Sequence, residues 1–171
     1  MTGTEITLSQ MLSRREARAN EQQLLLVKYH APLVSFCMNI PGPIKTNDEI
    51  RKAFDTGKNS LLNALEIYGP VINDCIEIHC DTGDELLLSV NAVSSDELKN
   101  LCVEIENASK LGRLFDFDVI DANGNKLSRK TFRTCLICNK QAQECARSRA
   151  HSVKELQDAV EEIIRYSASM S

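Results

Sequence analysis

The segment 112–119, GRLFDFDV, contains two aspartates separated by a single residue. Successive side chains of a strand point to opposite faces of a sheet, so Asp116 and Asp118 share one face while the apolar residues bury the other. Neighbouring carboxylates repel each other unless a cation lies between them, and their oxygens suit Mg²⁺ with phosphate completing its shell. The pair therefore indicates phosphoryl or nucleotidyl transfer. The alternative is a half-exposed strand that carries two solvated acids.

A second group of side chains, at about 135–151, has the composition of a metal site. Cys135 and Cys138 form a C-x₂-C pair, and Cys145 and His151 follow closely. Three thiolates and one imidazole are a tetrahedral zinc set, and four protein ligands make such a site structural because no coordination position stays open. The alternatives are buried thiols with a histidine near a helix start, or a redox C-x₂-C without the usual thioredoxin-like surroundings.

Arginines are concentrated around these two groups, although the formal net charge of the chain is −4. Arginine binds phosphate through a planar fork, so arginines beside metal-binding acids are typical of phosphoryl transfer. Arg113 directly precedes the aspartate strand and is the first candidate. The alternative for each of these side chains is a solvated surface group without a ligand. The further candidates for phosphate contacts are Arg18, Lys45, Arg129, Arg147 and Arg149.

The length and composition are those of a globular protein, and we expect one domain over residues 1–171. No run approaches the roughly 20 apolar residues that span a bilayer. The first residues also lack the basic and apolar regions of a signal peptide. The negative net charge excludes a chain whose overall field attracts nucleic acid. Seven cysteines without an export signal favour thiols or metal ligands over disulfides, so we expect a cytoplasmic protein.

Hydrophobic periodicity and turn signals predict the elements that must position these residues. Gly57 predicts a break or kink in the second helix. The order of elements predicts an α+β domain with a mixed, mainly antiparallel sheet flanked by helices. Capping residues predict helix starts near Thr7, Thr46, Ser95 and Ser152. Apolar runs predict strands at 32–40, 71–80, 85–93, the aspartate segment and 126–128.

Several motifs occur in an order that resembles one protein family. The motifs are REAR at 15–18, NIPGPIK at 39–45, GRLFDFDV at 112–119, LSR at 127–129, CLIC at 135–138 and CARSRAHS at 145–152. With these motifs, the chain over residues 12–164 resembles the apo-citrate lyase phosphoribosyl-dephospho-CoA transferases. The resemblance implies transfer of a 5′-phosphoribosyl-dephospho-CoA group from 2′-(5″-triphosphoribosyl)-3′-dephospho-CoA to a serine of the acyl carrier subunit of citrate lyase, with release of pyrophosphate.

The resemblance also implies a nucleotidyltransferase-like sheet on which Asp116 and Asp118 hold Mg²⁺. That superfold carries a third acid, for which Glu85, Asp121 and Glu104 are candidates. Two hypotheses compete with the transferase. One is a non-catalytic, zinc-stabilised adaptor that binds the acyl carrier or lyase subunits, and the other is a nucleotide-binding regulator without turnover.

Overall fold

The computed structural model describes residues 1–69, 71–138 and 140–169. None of the helices in these ranges is long and apolar enough to cross a membrane. The helices of the described residues are α1 (Leu8–Tyr29), α2 (Asp48–Glu66), α3 (Ser95–Asn107), α4 (Ala142–Ser148) and α5 (Val153–Ala168). The strands are β1 (Leu33–Met38), β2 (Ile72–Ile78), β3 (Glu85–Val90) and β4 (Phe115–Ile120).

The four strands form one sheet in the order β2-β3-β1-β4, and each neighbouring pair is antiparallel. The expected α+β class with a mainly antiparallel sheet is therefore confirmed. The register places Cys37 of β1 opposite Glu85 of β3 on one side and Asp116 of β4 on the other. Because directly paired residues share a face, these three side chains form a row across the sheet.

The sheet has a large apolar core on one face and a smaller one on the other. Phe36 of β1 stacks between Phe54 of α2 and Phe117 of β4, with ring centroids 4.9 Å and 4.2 Å away. Helices α3 and α5 complete this core. On the opposite face, Leu25 and Leu26 of α1 pack against apolar residues of β1, β3 and β4. The row formed by Glu85, Cys37 and Asp116 lies on this same face but is not part of the second cluster.

Strand β4 lies at an edge of the sheet, and side chains of α3 complete its hydrogen bonding. Glu106 accepts the N–H of Phe117 at 2.9 Å, and Lys99 donates to the Phe117 carbonyl at 3.0 Å. Both side chains are buried. Since an edge strand otherwise exposes unpaired backbone groups, these contacts fix the aspartate strand against α3.

The helix starts predicted at Thr7 and Ser152 are confirmed. The caps of α2 and α3 instead lie one residue away from the expected ones, at Asn47 and Ser94. The reason at α2 is that the Asn47 side chain accepts the N–H of Ile50 at 2.9 Å, which satisfies one of the unpaired donors of the first turn.

Of the break or kink predicted near Gly57, the break is wrong, because α2 continues through this residue. A Cβ at this position would lie 2.5 Å from Cζ of Phe36 and 3.0 Å from Cε1 of Phe115. The glycine therefore lets the helix approach the aromatic rings of the sheet. Near the C-terminus, the strand predicted at 126–128 is reduced to a bridge between Ile120 and Lys126.

Gly112 has a similar role at the start of the aspartate segment. A 3₁₀ turn, Leu111–Leu114, leads directly into β4. A Cβ on Gly112 would lie 2.6 Å from the carbonyl oxygen of Glu106 and 2.7 Å from that of Ile105. Only glycine permits this approach to the end of α3, so it fixes where β4 begins.

Candidate active site and metal centre

Asp116 and Asp118 lie on one face of β4, as predicted, with the apolar residues of the strand in the main core. Their side chains are 46% and 30% exposed, so both carboxylates reach solvent. Lys126 Nζ lies 2.6 Å from an Asp118 oxygen, and an Arg133 nitrogen lies 3.7 Å from an Asp116 oxygen. Burial and the charge of Asp118 raise the pKa of the Asp116 carboxyl. The two carboxylates therefore repel each other.

Basic residues approach the same face from α1 and from the loop after β1. Arg18 lies 3.3 Å from a carboxylate oxygen of Glu85, and its charge also interacts with Cys37. Lys45 donates to the carbonyl of Ile40 at 2.6 Å. Burial and the charge of Arg15 lower the pKa of Lys45, which likewise interacts with Cys37. Two of the predicted phosphate contacts, Arg18 and Lys45, are therefore close to the residue opposite Asp116.

The Cys37 side chain between these charges is a thiol at neutral pH. Burial and the negative charge of Asp116 raise its pKa to about 11. Because the thiolate is the nucleophilic form of cysteine, Cys37 is poorly suited to attack a substrate. In the sheet it lies between Glu85 and Asp116.

The three candidates for a third acid lie in different places. Glu85 is on the aspartate face, 2% exposed, and forms ion pairs with Arg14 and Arg18 at 2.7 Å and 3.3 Å. Asp121 accepts backbone N–H groups of the turn that follows β4. Glu104 is exposed on α3, which packs on the other face. Of the three candidates, only Glu85 shares the face of the aspartate pair.

Cys135, Cys138, Cys145 and His151 converge on one point. Their ligand atoms all lie within 4.8 Å of one another. Cys138 Sγ is 3.5 Å from Cys145 Sγ and 3.4 Å from His151 Nε2. Tetrahedral zinc, with bonds of about 2.3 Å to sulfur and about 2.0 Å to nitrogen, brings neighbouring ligand atoms to similar distances. This geometry fits a structural zinc ion.

Two local elements bring the ligands of this cluster together. An isolated bridge between Thr134 and Gln141 closes the C-x₂-C loop, and α4 then carries Cys145. Burial opposes ionisation of Cys135, but N–H groups of Cys138 and Ile137, together with the neighbouring thiols, outweigh it and lower the pKa of this thiol to about 7. Burial and hydrogen bonds with the same neighbours raise the pKa of Cys145 to about 11, so it is the spacing of the four ligand atoms that favours a metal site.

A cavity of about 750 Å³ lies beside this cluster, and we call it the metal-side cavity. It separates the loop after β1 from α4 and the start of α5. Arg113 and Arg149, both predicted as phosphate contacts, line it together. The lining residues are Asn39, Pro41, Arg113, Arg133, Thr134, Cys135, Leu136, Ala142, Cys145, Ala146, Arg149, His151, Ser152, Val153 and Leu156.

The predicted arginines have different surroundings from one another. Arg113 donates to the carbonyls of Thr134 and Cys135, so it supports the segment that carries the first cysteine of the cluster. Arg129 lies 3.5 Å from Glu106. Arg147 is exposed on α4 and is not among the residues that line the metal-side cavity.

Sequence reasoning did not single out Arg133, which is the arginine that reaches Asp116. Arg133 also pairs with Glu106 at 2.7 Å, donates to the carbonyl of Phe115 and lines the metal-side cavity. Its place in the basic stretch between the aspartates and the cysteines was the available signal. No local pattern distinguishes it there from its neighbours.

Fold and site define a small α+β protein with a carboxylate pair, a Cys₃His cluster and an arginine-lined cavity beside that cluster. The sequence profile of the apo-citrate lyase phosphoribosyl-dephospho-CoA transferase family matches residues 6–167. The chain belongs to this family.

Individual relatives match nearly the whole chain. It is 36% identical over 162 residues to a probable apo-citrate lyase phosphoribosyl-dephospho-CoA transferase of Vibrio cholerae, covering 92% of this chain and 91% of the relative. Identity to the transferase of Citrobacter koseri is 34% over 155 residues, with coverages of 88% and 84%. For an Escherichia coli transferase it is 32% over 163 residues, with coverages of 93% and 88%.

Proposed function

We propose that this protein is a cytoplasmic nucleotidyltransferase that attaches the phosphoribosyl-dephospho-CoA group to apo-citrate lyase. The donor is 2′-(5″-triphosphoribosyl)-3′-dephospho-CoA, and the acceptor is a serine hydroxyl of the acyl carrier subunit. A phosphodiester forms as pyrophosphate leaves. Family membership supports the reaction, and the observation that carries the chemistry is the Asp116–Asp118 pair facing a cluster of cationic side chains.

The residues present fit two metal ions. Asp116 and Asp118 offer partly exposed, mutually repelling carboxylates, which are suitable ligands for Mg²⁺. When bound, Mg²⁺ supplies positive charge to the triphosphate. The Cys₃His cluster fits Zn²⁺ with four protein ligands, and such a closed site is structural.

The chain's own side chains bind and orient the donor. Arg18 and Lys45 hold phosphate oxygens beside the carboxylates, where their charge opposes the charge that develops on the leaving pyrophosphate. Glu85 is already neutralised by Arg14 and Arg18. It therefore acts as a positioning residue for these arginines and not as a third metal ligand. The attacking hydroxyl comes from the acceptor, so the protein needs no nucleophile of its own.

The test is the intact mass of the cognate apo acyl carrier subunit after incubation with the protein, Mg²⁺ and the donor. We expect a gain equal to the phosphoribosyl-dephospho-CoA group. Asp116→Asn and Asp118→Asn should each lower the transfer rate about 100-fold or more, because each removes a ligand to the charge that stabilises the transition state. Asp81→Asn, in the exposed turn between β2 and β3, makes the same chemical change as a control.

The outcomes separate the transferase from the adaptor. Wild-type rates in the Asp116 and Asp118 variants would remove the assignment of these carboxylates. An unmodified carrier that nevertheless binds the folded, zinc-loaded protein would support the non-catalytic adaptor.

A further inference from the structure

We propose that the metal-side cavity binds the dephospho-CoA part of the donor, and that the Cys₃His centre builds one wall of this cavity. The inference rests on the proposed function, since it concerns the part of the donor that does not react. It assigns to the metal centre a role in substrate binding in addition to local structure.

Neither aspartate lines the cavity, but Arg133 connects it to Asp116. Asn39, on its wall, directly follows β1, the strand that pairs Cys37 with Asp116. Arg133 lines the cavity and also lies 3.7 Å from an Asp116 oxygen. A donor whose phosphates lie at Asp116 can therefore extend past Arg133 into the cavity.

The size and charge of the cavity match a large anion. Its volume of about 750 Å³ is within the range of roughly 300–1,000 Å³ that is common for small-molecule sites. Arg113, Arg133 and Arg149 line it, and no carboxylate is among the described residues that do so. Arg133 is also paired with Glu106 and Asp116 from outside the cavity, so Arg113 and Arg149 contribute most of its positive charge. Dephospho-CoA has a diphosphate at its centre, which guanidinium groups bind through charge-assisted hydrogen bonds.

The apolar part of the lining fits the rest of this ligand. Pro41, Leu136, Val153 and Leu156 contribute hydrocarbon surface from three separate segments. Dephospho-CoA carries an adenosine on one side of its diphosphate and a pantetheine arm with two methyl groups on the other. A cavity that combines guanidinium groups with apolar walls accommodates both parts, whereas inorganic phosphate or pyrophosphate would use only the charge.

The metal centre joins the segments that form one wall. Cys135, Cys145 and His151 are ligands and line the cavity at the same time. Between them lie the C-x₂-C loop and α4, a helix of 7 residues, which is too short to be stable alone. The free energy of zinc binding is then free energy of folding for this segment. Loss of the metal should open the wall while the sheet and its aromatic core persist.

Binding of dephospho-CoA alone to the full-length, zinc-loaded protein tests the proposal by isothermal titration calorimetry. Ala146→Trp fills the cavity from α4 and should abolish binding, and Arg149→Gln should weaken it about tenfold or more by removing one guanidinium. The matched controls, Gln143→Trp on α4 and Lys154→Gln on α5, alter exposed residues that do not line the cavity and should bind normally.

Metal removal by a chelator should abolish this binding while most of the far-UV circular dichroism remains. Unchanged affinity of the metal-free protein, or its complete unfolding, would overturn the role of the metal centre as a wall. Unchanged affinity in Ala146→Trp, or no saturable binding below about 1 mM, would overturn the assignment of the cavity.

The transfer assay distinguishes this inference from the proposed function. Cavity-dependent binding of dephospho-CoA without any modification of the carrier would keep the inference and refute the transferase. Normal transfer by Ala146→Trp would keep the transferase and refute the inference.

Discussion

Replacing Glu106 by glutamine should destabilise the protein, because this buried carboxylate connects the aspartate strand to two arginines. Its side chain is 3% exposed and accepts the N–H of Phe117 at 2.9 Å. Arg133 and Arg129 lie 2.7 Å and 3.5 Å from its oxygens. Glu106→Gln preserves the size of the side chain and the hydrogen bond from Phe117, so it removes mainly the charge that both guanidinium groups face.

The magnitude follows from how deeply the three groups are buried. Breaking a fully buried ion pair costs about 3–5 kcal/mol. The arginine side chains are 22% and 17% exposed and regain some hydration, which reduces the penalty. We therefore expect a loss of about 2–3 kcal/mol in the free energy of unfolding. For a protein of this length that corresponds to a fall in Tm of roughly 4–12 °C.

Scanning calorimetry together with urea unfolding measures this effect, and the urea slope should stay unchanged if only stability is altered. Glu104→Gln is the matched control, since it makes the same chemical change at an exposed position of α3. Equal stability of the two variants would refute the reasoning, because the buried carboxylate would then contribute no more than a solvated one.

Two further changes test the packing and the electrostatics of the site. Gly57→Ala should lower the free energy of unfolding by about 1–3 kcal/mol, since the added Cβ would lie 2.5 Å from Phe36 Cζ. Thermal unfolding measures this loss, with Asn59→Ala at an exposed position of α2 as the control. A Gly57→Ala protein more stable than the wild type would contradict the close approach. Asp116→Asn should stabilise the metal-free protein at neutral pH. The raised pKa of Asp116 means that its ionised form is unfavourable in the folded state, so the gain in the free energy of unfolding should vanish as the pH falls through that pKa and the wild-type carboxyl becomes neutral. Unfolding measured from pH 7 to pH 4 checks this. An equally large gain at pH 4 would contradict the reasoning.

Sequence patterns predicted the features that depend on neighbours along the chain. The period of two in β4 gave the shared face of Asp116 and Asp118, and residue spacing gave the Cys₃His set. The caps at Thr7 and Ser152 were equally local. Each of these relies on short-range geometry that residue types reveal directly.

Features that depend on tertiary contacts were not predictable in the same way. Gly57 was interpreted as a helix break or kink, although the structure uses its small size where α2 crosses the rings of Phe36 and Phe115. Arg113 was expected to contact phosphate, yet part of its guanidinium is used on the carbonyl of Thr134. Which arginine reaches Asp116 is decided by the path of the chain after β4, and residue type alone carries no information about that path.

The close contact at Gly112 has an entropic consequence for the carboxylate pair. Backbone of the turn before β4 lies directly against the end of α3, and Glu106 and Lys99 secure the strand two residues beyond its start. Asp116 and Asp118 therefore have a fixed main chain before any ligand arrives. The conformational entropy of ordering them is lost during folding, and a cation or donor that binds there does not have to lose it again.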